Sequence, residues 1–223
     1  MFELPLFPLH TVLFPGVPLD LHIFESRYKQ MVRSCLEGNQ QFGVVLIQQG
    51  EEALGPLAKP YLIGCTARIL KVKPLDDGTL ELTALGDERF RILSLNTSQP
   101  YLTGQVESLP LETPHSLDVQ KGIRVLSRMA LRYLELLSQL DSREIDLSTL
   151  QLPDEPLLLL FLSAALLQIP PTEKQPLLAS ETSGELLNHL LRLYRRENAI
   201  LAGEQASSPA VNEDNDQDHA RLN

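Results

Sequence analysis

Positive charge is scarce in this sequence. Its 223 residues carry 19 Lys and Arg against 29 Asp and Glu, a formal net charge of -10. Proteins hold phosphate backbones mainly through Lys and Arg, so this balance argues against binding of DNA or RNA. The sequence also contains no Gly-Lys dipeptide, which excludes the standard G-x-x-x-x-G-K-S/T phosphate loop. We therefore expect no nucleic-acid partner and no nucleotide cofactor.

Long apolar runs and cysteines are equally scarce. The longest apolar run, from Leu157 to Leu167, is broken only by Ser163 and is far shorter than the ~20 residues of a membrane-spanning helix. The first residues show no basic segment followed by an apolar one, so we expect no secretory signal. Cys35 and Cys65 lie among apolar residues, which favours buried free thiols over a disulfide. These features predict a cytoplasmic protein without a membrane partner.

Motifs typical of nucleophilic catalysis are incomplete. Ser26 and Lys29 match S-x-x-K, a spacing in which a lysine can deprotonate a serine nucleophile. The Ser-Asp-Asn and Lys-Thr-Gly motifs that accompany such a site are missing, so we interpret Ser26 and Lys29 as solvent-facing residues. We predict no catalytic residues and no enzymatic activity.

Metal-binding motifs fail in the same way. Asp214, Asp216 and Asp218 resemble the start of a calcium loop, but His219 stands where the tight turn needs glycine. No pair of histidines has the H-E-x-x-H spacing of zinc ligands, which indicates surface or structural histidines. The five are His10, His22, His115, His189 and His219. We expect no metal site.

The first part of the chain, from Phe2 to about Leu109, has the pattern of short strands. Apolar and polar residues alternate, as in strands with one buried face. The alternating apolar sets are Val17, Leu19, Leu21 and Ile23; Cys65, Ala67 and Ile69; and Leu80, Leu82 and Ala84. Asp76 to Thr79 contains an Asp-Gly pair that favours a hairpin turn. With further strands at 42–47, 89–95 and 101–109, six to eight strands predict a closed or nearly closed barrel.

One helix is predicted within this barrel. Its apolar residues lie at i, i+3, i+4, i+7 and i+8, on one face of a helix. They are Tyr28, Met31, Val32, Cys35 and Leu36. Gly38 is well placed to end the helix in a left-handed conformation.

Beyond Pro110 the apolar spacing becomes helical. A long stripe predicts one helix with Ser116 as its N-cap; it consists of Val119, Ile123, Leu126, Ala130, Tyr133, Leu137 and Leu140. Residues 156–167 are apolar on nearly all sides, which suggests a helix enclosed by others and ended by Pro170 and Pro171.

Two capping boxes follow in the sequence. The pairs are Thr172 with Gln175 and Thr182 with Glu185. The last helix is expected from about Gly184 to Ala202, with Leu187, Leu190, Leu191 and Tyr194 facing inward. We predict three parts: a barrel over 1–109, a helical bundle over 110–203 and a disordered acidic tail over 204–223.

A longer motif adds a family to this picture. LPLFPLHTVLFPGVPLDLHIFESRYKQMV, from Leu4 to Val32, resembles the opening of the substrate-binding domain of Lon ATP-dependent proteases. Later elements resemble the family in the same order: Phe42-Gly43-Val44-Val45, Ile63-Gly64-Cys65-Thr66-Ala67, Asp77-Gly78, Gly86 with Arg89-Phe90, Pro100-Tyr101-Leu102, and Lys174-Gln175 before Leu177-Leu178.

The resemblance implies an α+β fold, in which a mainly antiparallel, PUA-like β pseudo-barrel precedes an α-helical bundle. It also implies a stand-alone, non-catalytic module that binds unfolded or tagged polypeptides, as an adaptor or chaperone-like protein. Two alternatives remain: a regulatory or substrate-recruiting subunit of a separate ATP-dependent protease, and an RNA-binding barrel. Glu25, Arg27 and Tyr28 are interpreted as structural residues at a strand-to-helix corner. The sequence does not identify the binding residues.

Overall fold

The computed structural model describes residues 1–52, 57–114, 117–140 and 152–207. Within these ranges the chain forms seven strands and five helices. The strands are β1 (Phe2–Leu9), β2 (Pro18–Ile23), β3 (Gln41–Gln49), β4 (Lys59–Pro60), β5 (Ile63–Pro74), β6 (Leu80–Asn96) and β7 (Leu102–Ser108). The helices are α1 (Ser26–Glu37), α2 (Leu117–Leu140), α3 (Pro156–Leu166), α4 (Pro171–Leu178) and α5 (Ser183–Ser207).

Five strands close into a ring. Neighbouring strands pair in the order β1-β7-β6-β5-β3, and β1 returns to β3 through a parallel pairing from Leu6 with Gly43 to Leu9 with Leu46. The other pairings in the sheet are antiparallel, with β2 beside β6 and β4 beside the end of β3. This topology confirms the predicted α+β fold with a mainly antiparallel pseudo-barrel.

The predicted hairpin is confirmed, but β6 is longer than expected. Pro74 pairs with Leu80 across the turn, and Gly78 has a φ of 76°, which glycine adopts without strain. Thr79 donates backbone and hydroxyl hydrogen bonds to the Asp77 carboxylate, and these lower the pKa of Asp77. The two strands predicted on either side of Gly86 form one continuous strand of 17 residues. At Gly86 a Cβ atom would lie 2.2 Å from the Phe14 carbonyl oxygen, so glycine permits this close backbone approach.

The end of α1 differs from the prediction in two respects. Gly38 has a φ of -105°, and the left-handed residue is Gln40, with a φ of 58°. Gln40 reverses the chain into β3 while its N–H donates to the Cys35 carbonyl at 2.9 Å. Leu36, expected on the buried face, is 44% exposed, because the buried face consists of Tyr28, Met31, Val32 and Cys35.

The helical part largely follows the predicted periodicity. Every residue of α3 is buried or half-buried, as expected for an enclosed helix. Helices α2 and α5 lie side by side and parallel, since Gly184 lies near Val119 and Gln205 donates to Gln139. Helix α5 continues to Ser207, so 204–207 are helical where the start of the tail was expected. The remaining tail, 208–223, and the predicted cap Ser116 lie outside the described residues.

One buried apolar cluster joins the two parts of the chain. It runs from barrel residues such as Phe14 to helical residues such as Phe161, whose ring centroids are 6.4 Å apart. A second, smaller cluster lies between β1, β3, β6 and β7; its members are Leu4, Leu6, Val45, Phe90, Ile92, Leu102 and Val106. The helices therefore complete the core of the barrel.

Candidate functional site

Helix α4 is held between the barrel and the other helices by polar side-chain contacts that are at least partly buried. The Gln175 side-chain amide donates to the Ile63 carbonyl of β5 at 2.9 Å. The Lys174 ammonium donates to the Ala165 carbonyl near the end of α3 at 2.8 Å, and burial lowers its pKa. Cations are favourable at a helix C-terminus, where carbonyl groups lack intrahelical donors. The two adjacent residues of α4 thus bind different neighbours: Lys174 binds α3, and Gln175 binds the barrel.

A third anchor comes from the barrel. Arg89 on β6 is 3% exposed, and its guanidinium donates to the carbonyls of Leu178 and Ser180, both at 2.7 Å. Burial lowers the pKa of Arg89. These carbonyls lie at and just beyond the end of α4, so Arg89 fixes the C-terminal end of the helix on the barrel.

The predicted capping boxes have different outcomes. At α4 the N-cap is Pro170, without a side-chain cap; Thr172 is exposed and Gln175 faces the barrel, so the first box was wrong. The Pro170-Pro171 pair places the helix start before Thr172. At α5 the Thr182 hydroxyl accepts from the Glu185 N–H at 3.1 Å. The Glu185 carboxylate accepts from the Glu181 N–H at 2.8 Å, one residue earlier than in the usual box.

This placement of α4 leaves an apolar groove between the helix and the barrel. The groove has a volume of about 720 Å³. Its barrel wall is Gln48, Lys59, Pro60, Tyr61, Leu62 and Ile63, and its helix wall is Thr172, Gln175, Pro176 and Ala179. Leu62 is 58% exposed, and Pro176 is exposed on the opposite wall. An open groove with apolar walls and few polar groups is suited to apolar ligand groups.

A second cavity lies on the other side of α4. It has a volume of about 420 Å³ and shares Thr172 and Pro176 with the first. The remaining lining residues are Glu173 and Leu177 from α4 and His189, Arg192, Leu193 and Arg196 from α5. Arg196 contacts the carboxylates of Glu173 and Glu197, both at 2.7 Å, and these contacts raise its pKa. The two cavities are therefore separated by the exposed face of one short helix.

The corner between β2 and α1 has a structural arrangement. Arg27 Nε lies 3.0 Å from a carboxylate oxygen of Glu25, and its guanidinium covers the Tyr28 ring at 4.7 Å. The Tyr28 ring stacks on Phe7 of β1, with centroids 4.1 Å apart. These contacts fix the corner on the barrel, in agreement with the interpretation from sequence. A cavity of about 150 Å³ lies beside them.

The other residues considered from sequence are not gathered into a site. Ser26 is exposed on the first turn of α1, and Lys29 is half-buried. Among the described residues, no group of three or more His, Cys, Asp and Glu could hold a metal ion. No helix in the described ranges is long and apolar enough to cross a membrane. Asp214, Asp216 and Asp218 lie outside the described residues.

Both cysteines are free and buried, which confirms the prediction from sequence. Burial raises the pKa of the Cys35 thiol to about 11. Burial also raises the pKa of Cys65. Thiols with raised pKa values are poor nucleophiles and poor metal ligands at neutral pH.

The groove residues were missed by sequence reasoning. Leu62 follows the two-residue strand β4, and Thr172 and Pro176 occupy a helix whose placement depends on long-range contacts. The available signal was the Lys174-Gln175 pair before Leu177-Leu178, which belongs to the elements that resemble the family.

The sequence is similar to a known protein family and to several Lon proteases. The ATP-dependent protease La (LON) substrate-binding domain family matches residues 3–196. Lon protease 1 of Hydrogenovibrio crunogenus is 26% identical over 207 residues, which cover 93% of this chain and 25% of that protein. Lon protease 2 of Myxococcus xanthus is 29% identical over 201 residues, covering 89% and 24%. The chain thus spans about a quarter of the length of these relatives.

Solved structures agree with the sequence comparisons. The crystal structure of a Lon N-terminal domain protein from Xanthomonas campestris is 27% identical, with a TM-score of 0.65, and covers 86% of this chain and 98% of that one. The N-terminal domain of a Mycobacterium avium complex Lon protease has the same TM-score at 17% identity, which supports the fold alone.

Proposed function

The chain belongs to the Lon substrate-binding domain family, and from this membership we propose that it is a non-catalytic module that binds unfolded or tagged polypeptides. In this proposal it acts as an adaptor or chaperone-like protein in the cytoplasm. The observation that carries the proposal is the open apolar groove between the barrel and α4. Its walls offer the exposed Leu62 and Pro176 to side chains that are exposed only in unfolded chains.

The composition supports polypeptide as the ligand. A chain with a net charge of -10 repels phosphate backbones, whereas apolar contact with an unfolded chain is unaffected by that charge. Binding driven by apolar burial depends weakly on salt, in contrast to binding driven by counterion release.

The first experiment compares two ligands. A labelled, permanently unfolded protein and a labelled RNA of similar size are titrated with the chain at low and at physiological salt. We expect the unfolded protein to bind with nearly equal affinity at both, and the RNA to bind weakly at physiological salt. Tighter binding of RNA than of unfolded protein at physiological salt would refute the proposal.

A pair of leucine variants tests the groove itself. Leu62→Gln introduces a polar amide into the groove and should weaken binding of the unfolded protein. Leu70→Gln is the matched control. Leu70 lies on β5, the strand that begins directly after Leu62; it is 52% exposed and does not line the groove. Equal loss of affinity in both variants would place the binding surface elsewhere.

Co-purification separates an adaptor from a protease subunit. If the chain recruits substrates for a separate ATP-dependent protease, affinity purification under native conditions should recover that protease, identified by mass spectrometry. Recovery of unfolded clients without a protease favours the adaptor or chaperone-like role.

A further inference from the structure

The groove and the second cavity form one continuous surface across α4. Thr172 and Pro176 line both, and they lie four residues apart on the exposed face of the helix. Residues at i and i+4 occupy the same side of a helix. A ligand that leaves the apolar groove over this face therefore enters the second cavity directly.

The charge of this surface is opposite to that of the molecule. The two cavities are lined by three cationic side chains and one carboxylate: Lys59, Arg192, Arg196 and Glu173. Arg196 is already paired with Glu173 and Glu197. Arg192 is exposed, and within the described part of the chain it has no ion-pair partner. In a protein of net charge -10, this guanidinium is an available site for an anion.

We propose that the surface recognises an extended polypeptide with an apolar segment and a nearby carboxylate. The apolar side chains of the ligand occupy the groove at Leu62. The ligand's backbone then crosses α4, so that its carboxylate reaches Arg192 in the second cavity. This inference rests on the proposed function and specifies its ligand. It is the charge complementarity between Arg192 and a carboxylate that selects among apolar segments, since the groove alone accepts any of them.

The width of the helix sets the spacing in the ligand. An α-helix with its side chains is roughly 10 Å across, and an extended chain advances roughly 3.3 Å per residue, so crossing α4 takes about three residues. The preferred segment thus has leucine-like residues and an Asp, Glu or terminal carboxylate about three residues away.

A peptide series tests this ligand on the full chain. Fluorescently labelled peptides carry a short leucine segment and, about three residues away on either side, Glu, Gln or Lys. We expect the Glu peptide to bind about threefold to tenfold more tightly than the Gln peptide at low salt, the range of an exposed to partly desolvated charged hydrogen bond. The Lys peptide should bind most weakly.

Arginine variants identify the group that recognises the carboxylate. Arg192→Gln should bring the Glu-to-Gln affinity ratio close to one, and Arg192→Glu should reverse the preference toward the Lys peptide. Arg33→Gln, which changes an exposed arginine of α1 that lines neither cavity, should leave the ratio unchanged.

The outcomes separate this inference from the proposed function. Equal binding of Glu and Gln peptides, with loss of both in Leu62→Gln, would overturn the carboxylate preference and leave polypeptide binding in place. Binding of none of the peptides would overturn both. Self-association that Leu62→Gln abolishes would assign the groove to a second copy. Tighter peptide binding after deletion of residues 208–223 would assign the second cavity to the chain's own acidic segment. Either this result or the self-association described above would overturn the inference.

Discussion

At the scale of single residues, Arg89 connects the barrel to the end of α4 through two buried hydrogen bonds. Arg89→Met keeps an unbranched apolar stem but removes the guanidinium, which leaves the Leu178 and Ser180 carbonyls without this donor. We expect the free energy of unfolding to fall by about 2–4 kcal/mol, because each unpaired buried carbonyl costs about 1–3 kcal/mol while removal of a buried charge returns part of the loss. Denaturant titration followed by circular dichroism measures the change.

An exposed arginine on the same strand provides the control. Arg91 lies 3.5 Å from Glu107, and both side chains are substantially exposed. Arg91→Met should change the stability by no more than about 0.5 kcal/mol, as is usual for surface ion pairs. Similar losses for both variants would show that the buried contacts of Arg89 are not the cause.

The two thiols should be unreactive in the folded protein. The Cys35 thiol, with its pKa raised to about 11, is almost fully protonated at neutral pH, and only the thiolate attacks an alkylating reagent. The rate of alkylation should rise as the pH approaches that pKa and should increase greatly in denaturant. Mass spectrometry of the chain after timed treatment with iodoacetamide measures the rate. Rapid labelling of the native chain at neutral pH would contradict this burial.

At the scale of elements, the end of α1 offers a substitution with an informative sign. Gln40 adopts a φ of 58°, which costs a residue with a Cβ atom more than glycine. Gln40→Gly should therefore raise the stability by about 0.5–1 kcal/mol. Gln30→Gly, the same substitution at an exposed position inside α1, should lower it by about 1 kcal/mol. Changes of the same sign at the two positions would contradict the left-handed conformation at Gln40.

The two threonines predicted as caps should also differ. Thr182→Ala removes the acceptor for the Glu185 N–H and should cost about 1 kcal/mol. Thr172→Ala at an exposed, non-capping position should change the stability by no more than about 0.5 kcal/mol. Thermal melts of both variants and of the parent chain measure these changes in stability. A larger loss for Thr172→Ala than for Thr182→Ala would contradict the absence of a side-chain cap at α4.

These elements show how far periodicity can be carried. The hairpin, α1 and α3 were predictable because local turn chemistry and apolar spacing determine them. The position of α4 was not, since it depends on contacts from Arg89 and Gln175 to residues about 90 to 110 positions away in the chain. The groove exists only because of that placement, so no local pattern indicates Leu62 or Arg192 as binding residues.

At the scale of the whole molecule, the boundary near residue 109 marks a change of periodicity within a continuous core. Phe14 is fully buried and faces Phe161, and the cluster that contains both includes residues of every helix. A barrel without the helices would expose this face to water. Buried apolar area contributes roughly 25 cal/mol per Å², so loss of the helical cover removes a large part of the stabilisation of the barrel.

We therefore expect the barrel and the helices to unfold in a single transition. In a denaturant titration, helix content measured by circular dichroism and strand protection measured by hydrogen exchange should report the same midpoint, the signature of two-state behaviour.

A fragment of residues 1–109 should bind hydrophobic dyes and lack a dispersed NMR spectrum, since its outer sheet face is uncovered. Two separate midpoints, or a well-ordered fragment, would show that the barrel is stable alone. The groove lies at the junction of the two parts, so a single transition also means that a bound ligand should stabilise the entire chain, by an amount that rises with the logarithm of the ligand concentration above its Kd.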